Sequence, residues 1–477
     1  MGNQKGAALL IAMVAAIILT LLGLSLALSS SLEFEVSNEF ESHEHAIAIA
    51  DGGFNEVKND LRGQNLTQLL GRVQNVPMFV SYDYSKMLPA AGTYASRNPL
   101  SPLEARNIDF NTTPSAYGSR EANGILTDLM GEESGSGRYF AKLTDNDDGD
   151  GDPYTDSDNR VMLRVMGIHQ GLALNSFSHG SNRKNSVAIV EAEMRRSMNF
   201  NFSSPFSVYG PNADPSRYSF FDGNSFFIDG YDHAGWDNDD VVRNHNHDSS
   251  DPGGSAISSV YDNPGFDAND TVNTIYNDLK PVQYDNLEGQ DGMFGSSPSM
   301  DDDTDYYRNN ENADLLNLFD IWFMLNFIMR ATSVADLLYT GDTHLSGNGI
   351  DLGTVDEPLV TVVNGNLELS GGGSGAGLLI VTGKLTYSGA FDYDGMIMVV
   401  GEGDVEFSGA NKSVIGGLYV AKIENQAGSP SFGNPTFTLG GNSNFYYSSS
   451  MIDLANSMLP LTTVSWREIT PDIEPVE

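Results

Sequence analysis

The sequence has no cysteine and few basic residues. With no Cys among its 477 residues, the chain has no disulfides, thiolate metal sites, c-type haem attachment or cysteine nucleophile. Lys and Arg number 25 against 64 Asp and Glu, which gives a formal net charge of −39. Such a charge repels nucleic acid and anionic lipid headgroups and attracts cations. We therefore expect no nucleic-acid partner.

The sequence also lacks a recognisable catalytic motif. It contains no G-x-S-x-G, no P-loop and no H-E-x-x-H. Apolar residues make up 40% of the chain, so most of it should fold, and 50 glycines indicate many turns and a β-rich body. We expect a protein that is not an enzyme. A carbohydrate-active enzyme is an alternative, and it requires a cleft with paired carboxylates.

The N-terminal stretch contains a long uncharged run. "QKGAALLIAMVAAIILTLLGLSLALSSS" spans Gln4 to Ser31, and no charged residue occurs from Ala7 to Leu28. As a helix this run is about 33 Å long, which is enough to cross a bilayer core. It exceeds the apolar stretch of about 7–15 residues that is typical of a secretory signal. Lys5 precedes the run, so we expect the short leader to remain cytoplasmic.

A stripe of apolar residues at helical spacing follows the uncharged run, with acidic residues between its members. A single helix from Ala7 to Asp60 is therefore predicted. Its first part is apolar all round and suits lipid or a filament core. Its second part is striped and suits the surface of a folded head. The stripe consists of Leu32, Val36, Phe40, Ile47, Phe54, Val57 and Leu61.

Two segments, the opening stretch quoted above and "AIAIADGGFNEVKNDL", together resemble the N-terminal region of type IV pilin-like proteins, specifically PilX-type minor pilins. The resemblance covers about residues 1–62. It implies that a prepilin peptidase cuts after Gly6 and methylates Ala7. It further implies that the helix leaves the inner membrane and joins other pilins in a filament on the cell surface.

One residue departs from the pattern of most pilins, which carry Glu at the fifth position of the mature chain. If Ala7 is the first mature residue, the fifth is Ile11. A buried carboxylate requires a partner of opposite charge. Ile11 buries no charge, and it offers no charge to a neighbouring subunit. The resemblance then implies a priming or tip subunit rather than a major one. A membrane-anchored surface adhesin that does not polymerise is the alternative.

Three alternating segments predict the strands of a head that covers the helix stripe. They are Gly137–Leu143, Arg160–Ile168 and Asn185–Met194. Between the first two lies "DNDDGDGDPYTDSDNR", which contains seven Asp. Their mutual repulsion is relieved by a hard cation with 6–8 oxygen ligands, so we expect Ca²⁺ here, with a solvated acidic turn as the alternative. The candidate ligands are Asp145, Asp147, Asp150, Asp152, Asp156 and Asp158.

The middle of the chain is rich in aromatic residues and Asp. "NHNHDSSD" contains His245, His247 and Asp248, which we interpret as part of a polar loop rather than a metal site. The segment Ala313–Leu338 has helical spacing. Its apolar stretch is too short for a membrane span, so a buried helix is predicted.

The C-terminal third contains an internal repeat. "VTVVNGNLELSGG", "LLIVTGKLTYSGA" and "MIMVVGEGDVEFSGA" share one pattern of strand, Gly, strand and Ser-Gly. Gly365, Gly383 and Gly401 are equally spaced along the chain. A short, regular period with a strand, a turn and a strand in each unit is typical of a β-solenoid. An ordinary β-sandwich is the alternative.

The sequence therefore predicts an α+β protein with a long N-terminal pilin helix packed on an antiparallel sheet and a C-terminal β-solenoid-like all-β region. The predicted function is that of a structural minor pilin-like subunit of a type IV pilus or related filament. The expected divisions are a prepilin leader (1–6), the transmembrane or filament helix (7–62), the pilin-like head with its Asp-rich loop (63–195), a loop-rich insertion ending in a buried helix (196–340), the repeats (341–450) and a tail (451–477).

Overall fold

The structure is a computed structural model. It describes residues 3–63, 66, 70, 137–146, 160–169, 185–196, 200, 202–216, 218–233, 253–261, 268–305, 320–409, 412–426 and 428–469.

The described part of the chain begins with one long helix and three strands that form a head. The helix α1 spans Asn3–Asp60, so it begins before the predicted Ala7 and ends where the sequence predicts. Gly52 and Gly53 do not interrupt it. The three predicted head strands are confirmed and are slightly longer than expected, with β1 at Gly137–Asp145, β2 at Arg160–His169 and β3 at Ser186–Arg196.

The remaining elements follow in chain order. The first group contains β4 (Phe206–Tyr209), β5 (Asp214–Pro215), β6 (Phe221–Asp222), β7 (Phe227–Asp229), β8 (Ile257–Val260), α2 (Ala268–Asp278), a 3₁₀ helix (Pro281–Asn286), β9 (Leu287–Glu288), β10 (Met300–Asp302) and α3 (Ile321–Ser333). The second contains β11 (Leu337–Thr340), β12 (Thr343–Leu345), β13 (Asn348–Leu352), β14 (Leu359–Asn364), β15 (Leu367–Leu369), β16 (Gly372–Val381) and β17 (Lys384–Tyr387). The third contains β18 (Ala390–Gly401), β19 (Asp404–Phe407), β20 (Lys412–Gln426), β21 (Ser429–Gly433), β22 (Thr436–Gly440), β23 (Ser443–Tyr447), α4 (Ser449–Ser457) and β24 (Leu461–Ile469).

The head sheet has the order β1-β2-β3-β24 and is antiparallel throughout. Its fourth strand comes from the stretch that was expected to be a tail. Leu461 pairs with Arg196, so the chain leaves the head at the end of β3 and returns beside it. Residues 197–460 are thus an insertion between two neighbouring strands. The prediction of a simple tail was wrong because "LTTVSWREI" completes the sheet.

The inserted strands build a stack of parallel layers, and we call each layer a coil. One sheet of the stack has the order β10-β8-β4-β20-β18-β16-β14-β11, and the other has β12-β15-β17-β19-β22-β5. The registers reproduce the spacing of the repeats, because Leu367 pairs with Leu385 and Lys384 pairs with Asp404, its counterpart in the next coil. The apolar side chains between the two sheets form one core.

The expected boundary between a loop-rich insertion and the repeats does not divide the strands. β4, from the earlier region, pairs with β20 from the repeats, and β8 and β10 extend the same sheet. The chain enters this sheet at β4, and β8 and β10 extend it from there to one end. The repeats begin at β11, at the opposite end, and their strands proceed back along the sheet until β20 pairs with β4. Side chains from both regions share the core because the same parallel backbone pairing continues across the junction.

The helix predicted to be buried lies on the outer face of the stack. α3 begins after Asp320, whose side chain accepts a hydrogen bond of 2.8 Å from the Trp322 N–H. Met324, Phe327 and Ala331 are buried against the sheet. Trp322 and Met329 are 60% and 62% exposed, so the helix that was predicted to be buried is buried on one face only. Only one face of the helix meets the sheet, although its composition is apolar on most sides.

Candidate functional site: the apolar helix and its junction with the head

The first two thirds of α1 expose their apolar side chains. The large apolar residues from Leu9 to Phe40 are between 46% and 74% exposed. Exposed apolar area of this extent is unfavourable in water. By length and composition, α1 is the one helix in the described part of the chain that can cross a membrane. This part of the helix therefore presents an apolar surface that the described head does not cover.

The helix buries side chains against its head only from Ala46 onward. Ala46, Ala50, Phe54, Val57 and Leu61 are buried, and they recur every third or fourth position, which places them on one helical face. The predicted stripe was right for its last three members. It was wrong for Leu32, Val36 and Phe40, which are exposed, and Ile47 is half-buried. The head sheet does not cover the apolar side chains of the earlier turns.

Small residues let the helix backbone approach the sheet closely. A Cβ atom at Gly167 of β2 would lie 2.1 Å from the Ala46 carbonyl oxygen and 2.5 Å from the Ala50 nitrogen. A Cβ atom at Gly53 would lie 2.4 Å from the Tyr139 ring. Only glycine fits at these two positions without displacing the helix or the sheet.

Polar contacts fix the orientation of the helix on the sheet. His43 Nε2 lies 2.8 Å from a carboxylate oxygen of Glu468 in β24, and Lys58 Nζ donates to the Thr463 hydroxyl at 3.2 Å. The rings of His45 and His169 stack with centroids 4.9 Å apart. Burial, and then the charge of His45, lower the pKa of His169.

Arg62 joins the end of the helix region to the inserted stack. Its guanidinium donates to both carboxylate oxygens of Asp336 at 3.1 and 2.7 Å and to the carbonyl oxygens of Val334 and Met458 at 3.1 Å. Asp336 also accepts a hydrogen bond from the Val360 N–H at 2.8 Å. Because the guanidinium is planar and bonds the carboxylate through two nitrogens, the pair fixes the relative orientation of Arg62 and Asp336 as well as the distance between them.

The predicted processing residues Gly6 and Ala7 lie in the first turns of α1. Ile11 is 69% exposed, so the position where most pilins carry Glu is part of the exposed apolar surface.

Of the predicted calcium ligands, only Asp145 is among the described residues. It is buried at the end of β1 and pairs with Val161 of β2. Asp147, Asp150, Asp152, Asp156 and Asp158 lie outside the described residues, as do His245, His247 and Asp248. Within the described ranges, no group of three or more His, Asp or Glu side chains is arranged to hold a metal ion.

Several residues of this junction were not predicted from the sequence. Ala46, Ala50 and Gly53 share the helical spacing of the stripe, but their small size hid them from a search for large apolar residues. β24 carries the signal of a strand in its β-branched and aromatic residues. No pattern in the sequence indicated that Arg62 pairs with Asp336, 274 residues away.

Comparisons with known proteins add little. No protein-family model matches the chain, and no curated protein has significant sequence similarity to it. Among solved structures, the chain is similar to the crystal structure of the competence-associated pilin ComZ from Thermus thermophilus, at 12% identity, with 90% of this chain and 97% of that chain covered. The TM-score is 0.19. A similarity of this size carries no conclusion about the fold or function of this chain.

Proposed function

We propose that the protein is a structural, non-enzymatic pilin-like subunit of a type IV pilus or related filament. The observation that carries this proposal is the division of α1 into two parts. Its apolar N-terminal part is exposed, whereas its C-terminal part is packed on an antiparallel sheet. In such a helix the apolar part can lie in a membrane before assembly and in a bundle of similar helices afterwards, while the other part stays packed on the head. Its proposed partners are other pilins or minor pilins and a prepilin peptidase.

Cleavage after Gly6 and methylation of Ala7 are the processing steps that this proposal requires. The test is mass spectrometry of the first peptide of protein extracted from the cell envelope. We expect a peptide that begins at methylated Ala7, and in a Gly6→Val variant we expect an unprocessed chain. A mature wild-type protein that still begins at Met1 contradicts the filament role and favours a membrane-anchored adhesin.

Assembly is tested separately by cysteine crosslinking, because the chain has no cysteine of its own. A single Cys at Leu19, on the exposed apolar part, should crosslink to a cysteine in the corresponding part of a co-assembled pilin. The matched control is Cys at Val282, which is 65% exposed but lies in the inserted stack. In correctly processed protein, the absence of a crosslink at Leu19, or equal crosslinking at both positions, contradicts assembly through α1.

We propose a priming or tip position, as in PilX-type minor pilins, rather than a place in the shaft. Ile11 supports this, because it cannot neutralise the N-terminal amine of a neighbouring subunit. The bulk of the insertion supports it as well, since the described residues within 197–460 form a body much larger than the head sheet. An Ile11→Glu variant should enter the shaft more often, which immunogold labelling along sheared filaments measures.

We propose that the parallel coils form a β-solenoid displayed at the cell surface. The parallel pairing of successive coils and the continuous inward core support this proposal. Backbone strain at the corners is relieved by glycine: Gly365 and Gly401 have φ of 149° and 147°.

We also propose that the Asp-rich loop binds Ca²⁺ through Asp145, Asp147, Asp150, Asp152, Asp156 and Asp158. The pairing of Asp145 with Val161 supports this, because it holds the two ends of the loop together. Removal of calcium by a chelator should lower the melting temperature. In the double variant Asp147→Ala with Asp150→Ala, the chelator should have no effect. Identical melting of the wild-type protein with and without chelator contradicts a tightly bound ion.

A further inference from the structure

The stack ends in one coil that is paired on one side only. This terminal coil consists of β11, β12 and β13, which pair with β14, β15 and β16 respectively. Within the described strands, β11 and β12 each lie at the end of their sheet. In a parallel sheet, alternate backbone N–H and C=O groups of such an edge point away from the neighbouring strand. Among the described residues, the terminal coil therefore offers an unpaired edge that runs from Leu337 to Leu352.

The hydrophobic core is also open at this end. One inward position repeats in successive coils as Leu345, Leu369, Tyr387, Phe407 and Leu439. The last four side chains are buried, whereas Leu345 is half-buried. Leu337, Tyr339 and Ile350 likewise pack on the core but stay partly exposed.

The opposite end of the same sheet is protected by charge in a way that β11 is not. Its edge strand β10 carries Asp301 and Asp302, and charges on an edge strand oppose pairing with another chain. β11 has the sequence Leu-Leu-Tyr-Thr, with no charge and no proline. The register shift between Asn348 and Ile350 is confined to β13.

The chain segment that forms the terminal coil and its neighbour carries charge of one sign, and one of its carboxylates, Asp336, pairs with Arg62. From residue 331 to 383 the sequence contains six Asp and Glu and no Lys or Arg. Asp342 and Asp351 of this coil are exposed, and each also accepts a backbone hydrogen bond, from the Asn366 and Gly353 N–H groups. A second copy of this chain, with a net charge of −39, is repelled from such a surface.

We propose that the terminal coil binds an extended, basic segment of a partner protein, which adds a strand to the edge and covers the open end of the core. Backbone hydrogen bonds to the edge and apolar contacts with the open core provide the affinity for such a strand. Attraction between its basic side chains and the acidic residues of the coil provides the specificity. This inference concerns the inserted stack and is independent of filament assembly through α1.

The test uses the full-length protein in detergent micelles and a defined probe, the labelled peptide Lys-Val-Lys-Val-Lys-Val with blocked ends. Fluorescence anisotropy should show saturable binding that weakens as salt is added. Hydrogen exchange should show new protection within 337–352. A Glu-Val analogue should not bind, and neither should an analogue N-methylated at alternate residues, because it keeps the charge but cannot form the backbone bonds.

Two matched double variants assign the site. Asp342→Asn with Asp351→Asn keeps both hydrogen-bond acceptors and removes two charges, so binding should weaken by about three- to tenfold. Asp285→Asn with Asp291→Asn removes two charges from exposed positions elsewhere and should leave binding unchanged. Thermal melts check that both variants remain folded, and the salt titration and N-methylated peptide test the proposal in the wild-type protein alone.

Three results overturn the proposal. The first is equal binding of the N-methylated peptide, since the contact is then only electrostatic. The second is full protection of the amides of 337–352 without peptide, since another part of the chain then covers the edge. The third is concentration-dependent self-association that the peptide reverses, since the occupant is then a second copy.

Discussion

Asp303 follows the edge strand β10 and accepts a hydrogen bond from the Ser203 hydroxyl. Burial is the main cause that raises its pKa to about 6, and the neighbouring Asp301 and Asp302 raise it further. The charged form is thus less favourable in the folded protein than in the unfolded chain. A hard cation is one way to relieve such a cluster, but no metal-holding group occurs in the described ranges.

We expect Asp303→Asn to stabilise the protein at pH 7. Between about pH 4 and 6, the folded wild-type protein retains a proton that the unfolded chain has lost, so its free energy of unfolding falls as pH rises. Asn keeps a polar partner for Ser203 and carries no charge. The gain should be about 1–2 kcal/mol above pH 6, after allowance for partial exposure, and should vanish below pH 4. Urea denaturation across pH measures it, with Asp285→Asn as the control.

A second residue-scale prediction concerns Tyr393, which is fully buried in the stack. Its hydroxyl forms no hydrogen bond with another described group, and burial raises its pKa well above the usual value. Tyr393→Phe should leave the free energy of unfolding unchanged or raise it by up to about 2 kcal/mol, because a buried unsatisfied group is removed. Tyr284→Phe, which removes a hydroxyl bonded to Tyr276 at 3.3 Å, is the control. A clear loss of stability for Tyr393→Phe indicates a buried water at this hydroxyl.

At the scale of elements, the contact of α1 with β2 shows where prediction from sequence succeeds and fails. The helical period placed Phe54, Val57 and Leu61 correctly on the buried face. It also placed Phe40 there, because periodicity describes a face of the helix and not the extent of the sheet that covers it. The small residues that set the distance between the two elements have no such signal, since their role depends on what lies opposite.

Gly167→Ala should separate these two elements. The new methyl group would overlap the backbone of Ala46 and Ala50, neither of which can move aside as a flexible side chain can. We expect the head to lose about 1–3 kcal/mol of stability, with faster hydrogen exchange in residues 46–61. The control is Gly23→Ala, where no atom lies within 4 Å of the added methyl group. Unchanged stability in Gly167→Ala contradicts the close approach.

At the scale of the whole molecule, the head and the stack have separate hydrophobic cores. The head has its own core, formed by the end of α1 with β1, β2, β3 and β24. The stack has a separate core between its sheets. Arg196 and Leu461, where the chain leaves and re-enters the head, are direct partners in the sheet. The insertion is therefore bounded by two positions that a short turn can connect.

We expect the head to fold without the stack. In the test, residues 197–460 are replaced by Asn-Gly, which favours a tight hairpin turn, and residues 1–28 are removed to avoid aggregation. The product should unfold cooperatively with a fixed near-ultraviolet circular dichroism signal. Its stability should be lower than in the full chain because the Arg62 contacts to Asp336, Val334 and Met458 are lost. An unfolded product shows instead that the head depends on the stack.

The sequence by itself determined the long helix, the three head strands and the regular spacing of the repeats, because each depends on the order of side chains along a short segment. Only the tertiary structure decided that residues 461–469 close the head sheet, that strands of 206–302 continue the stack, and that α1 buries side chains against its head from Ala46 onward. These features depend on pairing between segments far apart in the chain. Backbone register and the available core space select such partners, and neither quantity is written in a local pattern.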